Sequence, residues 1–322
     1  MAHERIFFVD AWISCLMVFV IMGHCFFPFA PEWYARFHSW IYSFHMGAFY
    51  LVAGFLVSLV YRPIHNVREY WEYEKRKLLK FGVPFVALGV VLTAVSVIMR
   101  KEGMKDFFDA LYLLFVCPTS SRIIYLWFIY VLFMFYLVAP LFCQVLKGYA
   151  FPALVIGLAV HFLPLPHYGA LHLFARFLFF FIAGTTIQDF LPVLRKIPQA
   201  MIRAGALLFI GWSCLGKPEL PYLVSCCLAL PCLYLFSSFL ARHAGKRIVK
   251  CCTEISSHCF SIYLYQMIFL NCLALVWRRL PANSLTFIAF IFVGILISFI
   301  GSLCVAKLLD AGRNTWQSRR AA

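Results

Sequence analysis

The sequence predicts an all-α protein, a polytopic transmembrane helical bundle of about ten helices. Of its 322 residues, 64% are hydrophobic and only 13% are charged, and the mean hydropathy is +0.87. The apolar residues occur in long runs, and about 20 such residues form a helix that crosses a hydrocarbon layer of ~30 Å. Water could not cover these runs, which excludes soluble globular and disordered proteins.

Charged residues, prolines and glycines separate the apolar runs and set the predicted boundaries. The fifth and seventh runs are short for a bilayer, so counts of nine or eight spans are left open. Because the first run lacks a small-residue cleavage site, we expect a retained helix and not a removed signal peptide. With no internal repeat, we predict one domain over residues 1–322. The predicted spans are 11–29, 40–61, 79–99, 123–146, 150–164, 171–191, 203–216, 220–240, 259–277 and 285–309.

The charge distribution predicts the orientation in the membrane. The formal net charge is +15, from 28 Lys and Arg against 13 Asp and Glu. Ten spans place both termini on one side, and the alternate loops on that side hold the larger share of the cations. Since Lys and Arg accumulate in cytoplasmic loops, we predict cytoplasmic termini and no nucleic-acid partner.

The thirteen cysteines lie mostly inside apolar runs and form no C-x-x-C pair. This pattern is typical of buried apolar side chains, so neither a disulfide framework nor a metal site is expected. No G-x-S-x-G nucleophile motif is present in the sequence.

Two histidines are predicted at matching depth on consecutive helices. His24 and His45 each lie about five residues inside the outer end of a span. Ionisable groups at such depth usually face a cavity, which favours a functional site; a histidine hydrogen-bonded between helices is the alternative. Asp10 shares a helix face with His24, since fourteen residues are close to four turns, but lies about 21 Å away along the axis. We expect Asp10 to meet a cation at the cytoplasmic surface.

A cationic segment that contains Arg76, Lys77 and Lys80 leads into the third predicted span. Cations three residues apart share a helix face, which would suit a phosphate-rich ligand. The alternative is that these cations set the orientation of the chain in the membrane and contact anionic lipid.

Several of these segments together resemble the acyltransferase-3 family of integral membrane acyltransferases. Asp10 followed by Met22-Gly23-His24 is similar to the family's first helix, and the run from Ser43 to Leu56 is similar to its second. Further matching segments are Lys77-x-x-Lys80 before Pro84, Leu126-Trp127-Phe128, Phe177 to Gly184, and Ile262-Tyr263-Leu264.

The resemblance implies an acyl-CoA cosubstrate, such as acetyl-CoA or succinyl-CoA, with no permanently bound cofactor. The acyl group would be transferred to a hydroxyl of a sugar, glucan or other envelope acceptor, as in O-acetylation of polysaccharides in a bacterial cytoplasmic membrane. His24 is implied as the catalytic general base, and His45 would orient it, position the acceptor or stabilise the oxyanion.

The remaining site residues follow from the same comparison. Asp10, Arg76, Lys77 and Lys80 are candidates for donor binding. Trp127, Arg176, Tyr263 and Gln266 are further candidates for substrate binding. The alternatives are a membrane-interface role for Trp127, interhelical hydrogen bonds for Tyr263 and Gln266, and an Arg176 that reaches the outer surface.

Three positions depart from the family pattern. Ile13 stands where the family has a basic residue, Gln266 replaces a histidine, and Cys259 replaces a serine. An inactive acyltransferase-like assembly protein is therefore one alternative, and a transporter or flippase of a sugar or lipid-linked substrate is another. A homodimer is left open.

Overall fold

The computed structural model describes residues 7–214, 221–281 and 283–321, with side chains as far as residue 311. Every regular element within these ranges is helical, which confirms the predicted all-α fold. The described α-helices are α1 (Phe7–His24), α2 (Glu32–Tyr42), α3 (His45–Val60), α4 (Val67–Lys77), α5 (Val83–Met99), α6 (Met104–Val116), α7 (Trp127–Pro140), α8 (Ala150–His161), α9 (Leu171–Leu194), α10 (Gln199–Cys214), α11 (Tyr222–His243), α12 (Lys246–Ser257), α13 (Cys259–Trp277) and α14 (Ser284–Ala321).

Eight helical segments of the described chain are long and apolar enough to cross a membrane, so this is an integral membrane protein. A helix is present at each of the ten predicted positions, but α8 has only 12 residues and α10 only 16. At 1.5 Å per residue, 12 residues extend about 18 Å, well short of the hydrocarbon layer. Residues 215–220 are outside the described ranges, and they include the end of predicted span 203–216 and the start of predicted span 220–240. The eight segments are Phe7–His24, Glu32–Val60, Val67–Met99, Ile124–Val145, Tyr168–Leu194, Tyr222–His243, Cys259–Trp277 and Ser284–Ala311.

The structure adds amphipathic helices that hydropathy did not predict. The second and third membrane segments begin earlier than predicted, because the charged helices α2 and α4 precede their apolar parts. Helices α6 and α12 lie in segments that were predicted as loops. Charged residues at helical spacing interrupt an apolar run without interrupting the helix, which explains the difference.

The residues divide into two compact units. Unit 1 comprises residues 1–49 and 197–322, and unit 2 comprises residues 50–196. In unit 1, helix α1 packs against α2, α11, α12, α13 and α14. Its side chains Leu16, Met17 and Ile21 are fully buried there. The prediction of a single domain over residues 1–322 stays a prediction.

Unit 2 is built around an aromatic core. Tyr50 packs against Phe135 and Phe177 with ring centroids 5.0 and 4.9 Å apart, and Phe135 stacks on Phe181 at 4.7 Å. These rings join α3, α7 and α9, and such pairs add to the energy of apolar burial.

Two glycines allow the backbones of α3 and α9 to come into contact within unit 2. A Cβ atom on Gly54 would overlap the carbonyl oxygen of Phe181, and one on Gly184 would overlap that of Leu51. Small residues commonly mediate such close helix packing in membranes. Both glycines lie in segments that resemble family motifs, so packing accounts for these parts of the motifs.

We expect Gly184→Ala to destabilise the protein by about 1–3 kcal/mol or more, since the backbone of α3 cannot move away from a new methyl group without repacking. Gly211→Ala is the matched control: it is also a glycine inside a helix, but a Cβ there would meet nothing within 4 Å. Thermal unfolding followed by size-exclusion chromatography in detergent measures both variants. Equal melting temperatures for Gly184→Ala and the native chain would contradict the contact of α3 with α9.

Candidate active site

His24 ends helix α1 in unit 1 and contacts helix α13. Its ring lies edge-on to Tyr263 with the centroids 6.2 Å apart, and the side chain of Gln266 lies beside the imidazole. Tyr263 and Gln266 are both buried. The structure therefore brings together His24 and two of the candidates from the late part of the sequence.

His45 begins helix α3 and is only 2% exposed. Its Nδ1 atom lies 2.7 Å from the carbonyl oxygen of Ile41. Because a carbonyl can only accept, Nδ1 carries the hydrogen, and Nε2 of the neutral ring is left as the acceptor. The backbone of α2 thus fixes the tautomer of His45.

A third histidine, His38 of α2, lies in the same environment. Its ring centroid is 4.4 Å from that of Tyr42 and 4.6 Å from that of Phe26, while Tyr42 is 4.7 Å from His45. Electrostatic interactions connect His24, His38 and His45 with one another. We call these three residues the histidine cluster. His38 was not predicted as a site residue because α2 was not predicted, although His38 lies one helical turn before Tyr42.

Packing of α2 against the end of α1 holds the histidine cluster in place. The hydroxyl of Tyr34 donates to the carbonyl oxygen of Met22. A Cβ atom on Gly23 would lie 2.9 Å from the Tyr42 ring, so a side chain before His24 would displace that ring. The hydroxyl of Tyr222 accepts from the Gly47 amide at 2.7 Å and holds the start of α3 against α11.

Asp10 lies near the opposite end of α1 and is 5% exposed. Thr253 Oγ1 of α12 donates to Asp10 Oδ2 at 3.3 Å, and Ser14 Oγ donates to the Cys252 carbonyl at 3.1 Å. These contacts join α1 to α12. The cationic candidates Arg76, Lys77 and Lys80 belong to unit 2, and a role of Asp10 in donor binding stays a prediction.

Unit 2 contains a cavity of about 600 Å³ beside α4. All three cationic candidates line this cavity, together with Arg62, which was not among the predicted site residues. The lining residues are Val57, Val60, Tyr61, Arg62, Pro63, Ile64, Glu69, Glu72, Tyr73, Arg76, Lys77 and Lys80.

The two carboxylates of the cavity have partners that hold them. Glu69 accepts from the amide of His65 at 2.9 Å and from the side chain of Asn66 at 2.8 Å, as part of the N-terminal cap of α4. Glu72 forms an exposed pair with Arg68 at 3.4 Å. With four cations against these two carboxylates, the cavity carries a positive excess that suits an anionic ligand.

The helix changes from α-helical to π-helical geometry after Lys77 and before Lys80. The Lys77 ammonium lies 4.2 Å from the ring centroid of Tyr136 and 5.0 Å from that of Tyr73. A π-helical turn follows at Leu78–Gly82, and such turns often occur at functional sites. Aromatic faces attract and position a cation, so Lys77 is the most constrained of the four.

Gln144 fixes the loop that carries Arg62. Its Oε1 accepts from the Tyr61 hydroxyl and from the Ile64 amide, and its Nε2 donates to the Ile64 carbonyl, all at 2.8 Å. Burial raises the pKa of Tyr61 to about 12, so its hydroxyl remains a donor at neutral pH. Gln144 lies far from this loop in sequence, and no local signal identified it.

Trp127 and Arg176 lie elsewhere in unit 2. Trp127 begins α7 and stacks on Phe177 with centroids 5.9 Å apart, as part of the aromatic core. Arg176 is exposed on α9, and its carbonyl accepts from His161 Nδ1 at 2.7 Å. A substrate-binding role for either residue stays a prediction.

Comparison with known proteins identifies the family. A family profile described as an acyltransferase domain matches residues 6–307, nearly the whole chain. The chain belongs to the acyltransferase-3 family. Searches of curated proteins and of solved structures gave no significant match. Family membership confirms the resemblance seen in the sequence and supports a membrane acyltransferase.

One departure from the acyltransferase-3 pattern lies directly beside His24. Gln266 stands where the family has a histidine, is fully buried, and donates from Nε2 to the Tyr263 carbonyl at 3.4 Å. An amide provides a donor and an acceptor but does not titrate near neutral pH. The substitution therefore retains hydrogen bonding next to His24 and removes an ionisable group.

Proposed function

We propose that this acyltransferase-3 protein transfers an acyl group from acyl-CoA to a hydroxyl group of a sugar, glucan or other envelope acceptor. The observation that carries the proposal is the histidine cluster of unit 1, which is formed at the end of α1, in the last part of α2 and at the start of α3. Ionisable residues in such positions are costly and are generally functional.

His24 acts as the general base in this proposal. Its imidazole takes the proton of the acceptor hydroxyl while the oxygen attacks the thioester carbonyl carbon. The carbon–sulfur bond then breaks, and the proton passes to the departing CoA thiolate, which leaves an ester and free CoA. General base catalysis of this type typically contributes 10²–10⁴-fold to the rate.

His45 and His38 support His24 in different ways. The hydrogen bond from Nδ1 to Ile41 leaves Nε2 of His45 to accept a hydrogen bond, which favours a role in positioning the acceptor hydroxyl. His38 is only partly buried, so it connects the cluster with more exposed surroundings and suits proton exchange. Tyr42, which contacts both rings, holds them in place.

The cavity of unit 2 binds the nucleotide part of acyl-CoA in this proposal. Coenzyme A carries several phosphate charges, and Arg62, Arg76, Lys77 and Lys80 provide the complementary charge. Tyr61 and Tyr73, with ring centroids 6.4 Å apart, offer aromatic surface for the adenine. With its termini in the cytoplasm of a bacterium, the protein would meet acyl-CoA there and modify an envelope acceptor.

Release of free CoA tests the proposed function. Purified protein in nanodiscs, supplied with acetyl-CoA or succinyl-CoA and a panel of sugars and glucans, is expected to release CoA thiol at a rate that depends on the acceptor. Tight acyl-CoA binding without turnover on any acceptor would instead favour an inactive assembly protein. The structural reason to consider such a protein is Gln266, which replaces the histidine of the family.

Gln144→Leu is expected to raise the KM for acyl-CoA about tenfold while kcat stays unchanged. Three hydrogen bonds to the loop of Arg62 are lost, and the polar loop groups lose their partners. Steady-state kinetics with acyl-CoA as the varied substrate measures the effect. Gln188→Leu replaces an exposed glutamine on α9 and serves as the control. A fall in kcat without a change in KM would contradict the role of Gln144 at the donor cavity.

A further inference from the structure

A second group of histidines lies in unit 2, where the loop after α8 leads into α9. The rings of His167 and His172 are only 4.0 Å apart between centroids, with a tilt of 47°. His172 Nδ1 is buried without a well-formed hydrogen bond to the described residues, although the Pro166 carbonyl is near the ring. Two adjacent imidazoles therefore retain hydrogen-bonding capacity that the described fold does not use.

Arg176 adds a permanent positive charge to this pair. It follows His172 by one turn of α9, so the two residues lie on the same helix face. Electrostatic interactions connect Arg176 with both His172 and His161. The charged groups that act on His161 and His172 include Arg176, and His167 also acts on His172. The group is therefore suited to an anion.

Exposed apolar side chains flank the basic group along the chain. Phe162 is 69% exposed and Tyr168 is 67% exposed, and Leu163 lies beside Phe162. These residues lie between the end of the apolar helix α8 and the start of the membrane segment Tyr168–Leu194. Aromatic residues at the ends of membrane helices typically lie at the level of the lipid headgroups. An amphiphile would match both the basic and the apolar part of this surface.

We propose that His167, His172 and Arg176 bind the phosphate group of an anionic lipid. The guanidinium of Arg176 donates two parallel hydrogen bonds to phosphate oxygens, the imidazole N–H groups donate further bonds, and the apolar side chains contact the acyl chains. Lipid binding at this site does not depend on the acyl transfer proposed above. A metal cation is disfavoured because Arg176 repels it and the described residues contain no group of three metal ligands.

Native mass spectrometry of the full chain tests this site, with micelles that contain either phosphatidylglycerol or phosphatidylcholine. The native protein should retain phosphatidylglycerol in preference. Arg176→Gln and the double variant His167→Ala/His172→Ala should each bind phosphatidylglycerol roughly tenfold more weakly, since each removes charge-assisted contacts. Arg176→Lys should keep most of the binding, because it keeps the charge. Arg242→Gln/His243→Ala removes an exposed basic pair at the end of α11 and should have no effect.

Three outcomes would overturn the proposal. Equal lipid retention by the native protein and the variants would show that lipid binds elsewhere. Competition by glycerol phosphate as strong as that by phosphatidylglycerol would indicate a site for free phosphate. Zn²⁺ binding that depends on the histidine pair, with no effect of either phosphate ligand, would indicate a cation site. Size-exclusion profiles of the variants should match that of the native protein.

Discussion

His24→Ala is expected to lower the rate of acyl transfer by about 10²–10⁴-fold, the range that a general base contributes. The imidazole of His24 lies at the end of a membrane helix beside Tyr263 and Gln266, and neither residue can replace it as a base near neutral pH. The loss should therefore fall on kcat. Rates of acceptor-dependent CoA release measure it.

Two further variants separate catalysis from folding. His24→Gln keeps a hydrogen-bonding side chain of similar size but has no basic nitrogen, so it should be as impaired as His24→Ala. His243→Ala, at an exposed position of α11, should keep native activity. If His24→Gln turned over at the native rate, another group would have to be the base, and His45 would be the next residue to test.

The second large effect is expected at the donor cavity. Replacing Arg76, Lys77 and Lys80 together by glutamine should raise the KM for acyl-CoA by about 10²–10³-fold or more, because each lost charge-assisted contact weakens binding roughly tenfold. The KM for the acceptor should not change. Kinetics with each substrate varied in turn distinguishes these effects.

A matched control for this charge change lies on α12. Replacement of Lys246, Arg247 and Lys250 by glutamine removes the same charge from another exposed basic segment, in unit 1. This control should leave the KM for acyl-CoA near its native value. Equal increases in both triple variants would mean that overall positive charge, and not the cavity, attracts acyl-CoA.

Hydropathy predicted all eight membrane segments, because each needs a long apolar run. It also predicted spans at the apolar helices α8 and α10, which have only 12 and 16 residues. The amphipathic helices α2 and α12 were missed, since their charged residues made them look like loops. The absence of α2 from the prediction also hid His38, whose importance depends on a helix that turns back toward His24.

Residues whose role depends on tertiary contacts were harder to predict. Gln144 contacts the loop of Arg62 only because α7 and the turn after it place Gln144 against that loop in the folded chain. The cations Lys77 and Lys80 line one cavity, as their spacing of three residues along a helix suggested, while their role in donor binding stays a prediction. Gly54 and Gly184 were recognised as parts of motifs, but their packing role follows from contacts between distant helices.

The most direct test of the proposed function is transfer of a radiolabelled acyl group from acetyl-CoA or succinyl-CoA by purified protein in nanodiscs, with the native chain and His24→Ala compared side by side. We predict that the label moves from CoA to a hydroxyl acceptor with the native chain and stays on CoA with His24→Ala. Neither binding nor turnover of either acyl-CoA by the native chain would contradict the account, and transport or an inactive assembly role would take its place.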